Sequence, residues 1–152
     1  MTDFGQAVNA MMEKINSGNK MVLATRSGDG VAARTVSIVV HDNAFYFQTG
    51  IDMAKAKEIE KCSNVALCFK SIEIKGICTQ IGKPTDESNK WFVEAFKELY
   101  PSAYEKYSHL EQERIYKVTP NIIKIWEYQG DLPGIQIINF DSQSVGYQVY
   151  SI

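Results

Sequence analysis

Apolar residues recur at Phe4, Val8, Met11, Met12 and Ile15, the three-and-four spacing of one helix face, behind Asp3 as a candidate N-cap. The pattern stops at Ser17-Gly18-Asn19, which reads as a helix end. The period then changes to alternation. Residues 20–26, 31–40 and 44–49 are short runs rich in Val, Ile, Phe and Thr, separated by Ser27-Gly28-Asp29-Gly30 and by His41-Asp42-Asn43. Both separators are hairpin signals, so the three runs predict an antiparallel meander. In the third run Phe45, Phe47 and Thr49 share one face, and Tyr46 and Gln48 the other.

A second helix is predicted over residues 53–62, with Asp52 as its N-cap and Ala56 and Ile59 facing inward. Two more strands follow at 65–70 and 72–83. Pro84-Thr85-Asp86 ends the second of them and caps a third helix, whose stripe is Phe92, Ala95, Phe96 and Leu99 and which stops near Pro101. Residues 104–113 are polar and read as a helical turn or loop. Strand character returns at 115–118 and 121–128, interrupted by Thr119-Pro120. Residues 129–152 alternate weakly (Val145, Tyr147, Val149) and read as a C-terminal extension with an edge strand. This order is not the strict alternation of a doubly wound fold. It predicts a mainly β chain with packed helices, an α+β arrangement whose antiparallel strands close into a small barrel to manage their edges.

At 152 residues the chain fits one domain over residues 1–152, and a fold of this size buries about 70% of the surface its unfolded chain exposes. Its 16 Lys plus Arg against 18 Asp plus Glu give a net charge of -2, which supplies no broad cationic field for nucleic acid. Cys62, Cys68 and Cys78 form no Cys-x-x-Cys pair and fit neither a disulfide framework nor a zinc site; reduced thiols in a cytoplasm are the simple reading. No apolar run has the length of a signal peptide core or a membrane helix, so neither export nor insertion is expected.

Candidate chemistry concentrates in two places. In the second helix Lys55 and Lys57 come early and Glu58 and Glu60 late, the reverse of what the helix dipole favours, at a cost of a few tenths to about 1 kcal/mol unless an anion sits at the helix start. Plain solvation of the lysines is the competing reading. Arg34 shares strand parity with Val36, Ile38 and Val40, so either it snorkels from a strand end or its face opens onto an anion. Gly28-Asp29-Gly30 belongs to a hairpin and not to a phosphate cradle, and two histidines, His41 in a turn and His109 on the surface, give no support to a metal site or triad. Glu111 and Glu113 read as solvated. Trp126 reads as a core or interface aromatic that could also meet a flat ring.

Met21-Val22-Leu23-Ala24-Thr25, Arg34-Thr35-Val36-Ser37-Ile38, Phe45-Tyr46-Phe47-Gln48-Thr49, Lys55 with Ile59, and Val65-Ala66-Leu67-Cys68-Phe69 follow one another in an order and spacing that resembles the pyridoxamine 5'-phosphate oxidase-like, FMN-binding split β-barrel proteins. The resemblance spans residues 21–126. It implies an antiparallel split barrel, FMN as cofactor, and a homodimer with the flavin at the subunit interface. By that likeness Arg34 and Lys55 would hold the phosphate, while Val36, Ser37 and Ile38 would lie along the flavin ring and ribityl chain. Gln48 and Thr49 would add polar contacts, and Trp126 would come from the partner chain. Two departures argue against authentic pyridoxamine phosphate oxidation: Ala54 stands where the true oxidases have a phosphate-site arginine, and no Arg-x-His follows the tryptophan. The chain looks more like the smaller members grouped with general stress proteins or nitroimidazole-resistance reductases. The reading is therefore an FMN-dependent oxidoreductase passing electrons from an undefined donor to a small acceptor, with a non-catalytic flavin- or haem-sequestering barrel as the alternative.

Overall fold

A computed structural model of the chain describes residues 3–15 and 18–150. The first helix, α1 (Asp3–Ile15), buries Val8, Met11 and Ile15. Asp3 lies inside its first turn and is not the cap, and Ser17 falls outside the described residues. The meander follows as β1 (Lys20–Ser27), β2 (Gly30–Ser37), β3 (Val39–His41) and β4 (Ala44–Gly50). The β3–β4 turn places Asp42 and Asn43 at φ 46° and 60°, the left-handed pair that a two-residue hairpin needs. Next come α2 (Ala54–Lys61), β5 (Asn64–Phe69) and β6 (Ile72–Gly82), a 3-10 turn at Glu87–Asn89, α3 (Lys90–Leu99) and α4 (Pro101–Tyr107). The chain ends in β7 (Glu113–Gln129), β8 (Leu132–Asn139) and β9 (Ser144–Val149).

All nine strands form one antiparallel sheet along the path β2-β1-β5-β6-β7-β4-β3, with β8 and β9 branching from β7. The two ends of that path, β2 and β3, are separated in sequence by Ile38 alone. Segments joined by one residue lie end to end and cannot pair side by side, so the sheet curls until its edges meet at this corner without a ladder across it. The seam is thus open: the closed barrel read from edge management is corrected, and the antiparallel split barrel that the family resemblance implies is what the chain forms. Tyr100 pins the corner: its hydroxyl donates to the Ile38 carbonyl at 2.7 Å, with the Asn19 carbonyl as a second acceptor at 3.0 Å.

β7 is the spine. One edge pairs with β6, while the other is shared end to end, Glu113 to Val118 with β4 and Ile122 to Gln129 with β8. Thr119-Pro120 therefore marks a handover within one strand and does not break it. Opposite, the β6 register slips between Lys75 and Gly76, and a Cβ on Gly76 would stand 2.3 Å from the Thr119 carbonyl oxygen. Only glycine admits the two backbones at that distance.

The main core holds Leu23, Phe45, Phe47, Leu67, Ile74 and Ile123, and a second packs Tyr46 and Ile115 against Phe92 and Phe96 of α3. Alternating residues of β4 thus enter different cores, which explains an apolar run with no wet face. Four further expectations change. Asp52 precedes Met53, the true N-cap of α2, and α2 has no side-chain cap. Asp86 accepts from the Lys83 N–H at 2.9 Å and does not cap a helix side-chain-wise. The polar stretch after Pro101 begins as a real helix, with proline at its first turn where a missing N–H costs nothing. The tail contributes two paired strands where one edge strand was expected.

Candidate functional site

The end of β4, the turn into α2 and the start of β7 enclose a cleft of about 350 Å³ lined by Gln48, Thr49, Asp52, Lys55, Tyr107 and Glu113. β4 delivers Gln48 and Thr49 because it runs antiparallel to β7 with Gln48 opposite Ile115 and Gly50 opposite Glu113. The turn is fixed by Ile51 N–H donating to the Gln112 carbonyl at 2.8 Å and Met53 N–H to the Gly50 carbonyl at 3.0 Å. It launches α2 so that Lys55 faces the cleft while Ala56 and Ile59 face the core.

Lys55 makes no ion pair among the described residues. Burial holds its ammonium below the usual lysine range, the positive charge of Arg34 adds to that, and Glu113 opposes it. The first turn of α2 contains no acid. The two lysines do not act together: Lys57 lines a separate cleft of about 450 Å³ with Arg26, Lys61 and Cys62.

Arg34 meets an anion, and inside this chain that anion is Glu58. Its Nη2 donates to Glu58 Oε1 at 2.8 Å and its Nη1 to Thr25 Oγ1 at 2.7 Å, while the Thr25 hydroxyl donates to the same carboxylate at 2.9 Å. Hydrogen bonds from Ser27 and Thr25, with Arg34 beside them, hold the Glu58 carboxyl below the ordinary range. The residues that follow are turned to packing: Val36 of β2 and Ile38 just beyond its end are buried in the main core, and Ser37 between them is half-buried.

Glu113 is the residue that sequence reasoning missed. It is 5% exposed, against a side chain at 86% for Glu111, so the two acids are not the solvated pair expected. Gln48 Nε2 donates to Glu113 Oε2 at 2.9 Å, and the Gln48 carbonyl oxygen accepts from the Ser108 hydroxyl at 3.0 Å. Burial raises the Glu113 carboxyl above its usual range, Asp52 adds to this, and Gln48 and Lys55 pull the other way. One signal was available, since Glu113 shares strand parity with buried Ile115.

Trp126 lies on the order of 35 Å of strand away from the Gln48 register, at the far half of β7. It is 39% exposed and forms edge contacts with Tyr128 and Tyr150, themselves 62% and 55% exposed. The structure therefore brings Gln48, Thr49 and Lys55 into one cleft with Arg34 behind them, and leaves Trp126 outside it within one chain. The cysteines are free, with the buried Cys78 thiol pushed up to about 12, and no cluster of three or more His, Cys, Asp or Glu suited to a metal occurs among the described residues. His41 stacks on Trp91 at the end of β3, and His109 is exposed.

Residues 7–127 match the family model described as pyridoxamine 5'-phosphate oxidase. No curated protein matches the sequence. Among solved structures, a pyridoxamine 5'-phosphate oxidase-related, FMN-binding protein of Nostoc punctiforme is similar over all of this chain and 98% of its own, with TM-score 0.67 and 16% identity. General Stress Protein 26 of Bacillus anthracis is similar over 78% of this chain and 92% of its own, with TM-score 0.59 and 19% identity. HutZ, the heme storage protein of Vibrio cholerae, is similar over 74% of this chain and 88% of its own, with TM-score 0.62 and 11% identity. At these identities the likeness is one of fold.

Proposed function

The chain belongs to the pyridoxamine 5'-phosphate oxidase family, and from that premise we propose that it is an FMN-binding flavoprotein that passes electrons from a donor to a small acceptor. The observation that carries this reading is Lys55, a half-buried cation that makes no salt bridge among the described residues and stands at the acid-free start of α2, which has no side-chain cap. A phosphate dianion there meets both the ammonium and the positive end of the helix dipole. Arg34 backs the subsite with its field, and its guanidinium keeps donors beyond those already given to Glu58, Thr25 and Leu23. Thr49, Gln48 and Glu113 supply hydroxyl, amide and carboxyl groups for a polyhydroxylated chain. The flavin, when bound, supplies the redox chemistry; this chain's residues bind, orient and exclude water.

A cleft of 350 Å³ is at the small end of ligand sites and is open on one side. A second copy of the chain completes it in this proposal, presenting the Trp126 end of its β7, which explains why Trp126 is far from Lys55 yet carries an exposed aromatic cluster. The similarity to HutZ supports a second reading, in which the barrel sequesters a planar cofactor without turnover.

The deciding experiment is the absorbance spectrum of the purified protein, with mass identification of what it releases on denaturation. A flavin spectrum and released FMN are expected. A Soret band and released haem favour sequestration, and protein that is colourless and takes up neither cofactor refutes both. With FMN bound, photometric bleaching by NADH, NADPH or reduced flavin separates an oxidoreductase from a store.

A further inference from the structure

Glu113 is a charged side chain with little access to water, held through only one of its oxygens. Oε2 accepts from Gln48, whose own carbonyl oxygen is taken by Ser108, so the amide cannot turn to serve another group. Oε1 has no hydrogen-bond partner among the described residues and, not being fully enclosed, keeps contact with solvent at the mouth of the cleft. Groups from each surrounding element bear on it. Lys55 of α2 faces it, Asp52 of the β4–α2 turn adds a second negative charge, and Tyr107 of α4 lines the same cleft. The neighbouring Arg114 directs its guanidinium to the backbone carbonyls of Glu111 and Glu113 and is not among the charges that bear on the Glu113 carboxyl. Lys55 is thus the cation that offsets the Glu113 carboxylate, and it is also the cation a phosphate would occupy.

We propose that a phosphate group binding at Lys55 drives uptake of one proton from solvent onto Glu113, making this carboxyl a proton-linked positioning residue of the anion subsite. This rests on the reading of the cleft as the phosphate end of a flavin site. A dianion that takes over Lys55 removes the stabilisation of the Glu113 carboxylate and sets a second negative charge facing it in a poorly solvated space. Protonation removes that repulsion, and the neutral carboxyl becomes a donor through Oε1. Burial already raises the carboxyl above its usual range in the free protein, the same direction in which the phosphate would drive it. The linkage has a definite sign: affinity for the phosphate ligand falls as pH rises through the Glu113 titration. The ligand's own second ionisation, near about 6, acts the opposite way and acts equally on any variant.

Calorimetric titration of the full chain and of Glu113→Gln with FMN, in buffers of different ionisation enthalpy from mildly acidic to neutral pH, tests this. Glutamine preserves size and the contact with Gln48. The wild type is expected to take up most of one proton more per FMN than Glu113→Gln near the Glu113 titration, and the variant to bind FMN up to about a hundredfold tighter above that titration, the equivalent of a displacement of about two units. Riboflavin, which lacks the phosphate, should bind the two proteins alike. Equal proton counts and parallel pH profiles for FMN overturn the proposal even if FMN binds well, since the ligand's own ionisation is common to both proteins and cancels in their difference. Failure of both proteins to bind FMN at any pH identifies the functional reading itself as wrong and removes the proposal with it.

Discussion

Lys55 combines two costs, a half-buried charge and a place at the positive end of a helix, and a bound anion offsets both beyond the part that Glu113 supplies. Lys55→Ala should therefore weaken FMN binding by about ten- to a hundredfold, the range of a charge-assisted phosphate contact of about 1.5–3 kcal/mol, measured by quenching of flavin fluorescence. The same loss should be absent for Lys57→Ala, whose side chain lines the neighbouring cleft. Two carboxyls move stability with pH in opposite senses. Glu58 titrates below its unfolded value, so its contribution is present above the ordinary glutamate range and is lost as pH falls through the folded-state titration. Glu113 titrates above its unfolded value, so its stabilising effect is full below the ordinary range and is lost as pH rises through the folded-state titration. Melting temperature against pH should accordingly decline more on the neutral side for the wild type than for Glu113→Gln; identical curves would contradict the burial assigned to this side chain. Arg34 and Lys55 were legible as cations out of place because strand parity and helix polarity are local. Glu58, 24 residues from Arg34 and on another element, was not, and Glu113 was masked by its polar neighbours.

At the scale of elements, the handover along β7 depends on one missing side chain. Gly76→Ala places a methyl against backbone at Thr119 and Pro120, where no rotamer change can relieve it, and should destabilise by about 1–3 kcal/mol, read as a lower urea midpoint with an unchanged slope. Retention of full stability would mean the bulge can open. The sequence displayed this region as a break, since proline within a strand argues against a central position. It lies at the one point on β7 where neither β4 nor β8 asks for a ladder bond, a fact of three-strand geometry invisible in one segment. Strands and hairpins with local turn chemistry, such as Asp42-Asn43, were read correctly for the converse reason. Caps were read less well: Asp52 and Asp86 are good N-cap residue types, but each sits where the chain has not yet entered, or has other use for, the carboxylate.

For the whole molecule, the question is whether one chain contains its whole site. With Trp126 and Lys55 at opposite ends of β7, a shared site predicts complementation: Lys55→Ala and Trp126→Ala proteins, each impaired in FMN binding, should regain one normal site per mixed dimer when unfolded and refolded together. Titration of the mixture against each parent checks this, and no recovery in a verified mixed dimer would detach Trp126 from the site. The antiparallel split barrel and the family were legible because the order of short motifs survives at low identity, whereas the place of the seam and the two tail strands depend on partners far away in sequence. The spine has a consequence for biosynthesis. β4, the most completely buried strand, can pair with β3 at once, but its other edge waits for Glu113 to Val118, roughly 60 residues later in the chain. At about 5–20 residues per second that leaves about 3–13 s in which the nascent chain displays Phe45, Tyr46 and Phe47 on an unpaired edge, the interval in which a ribosome-bound chaperone has most to protect.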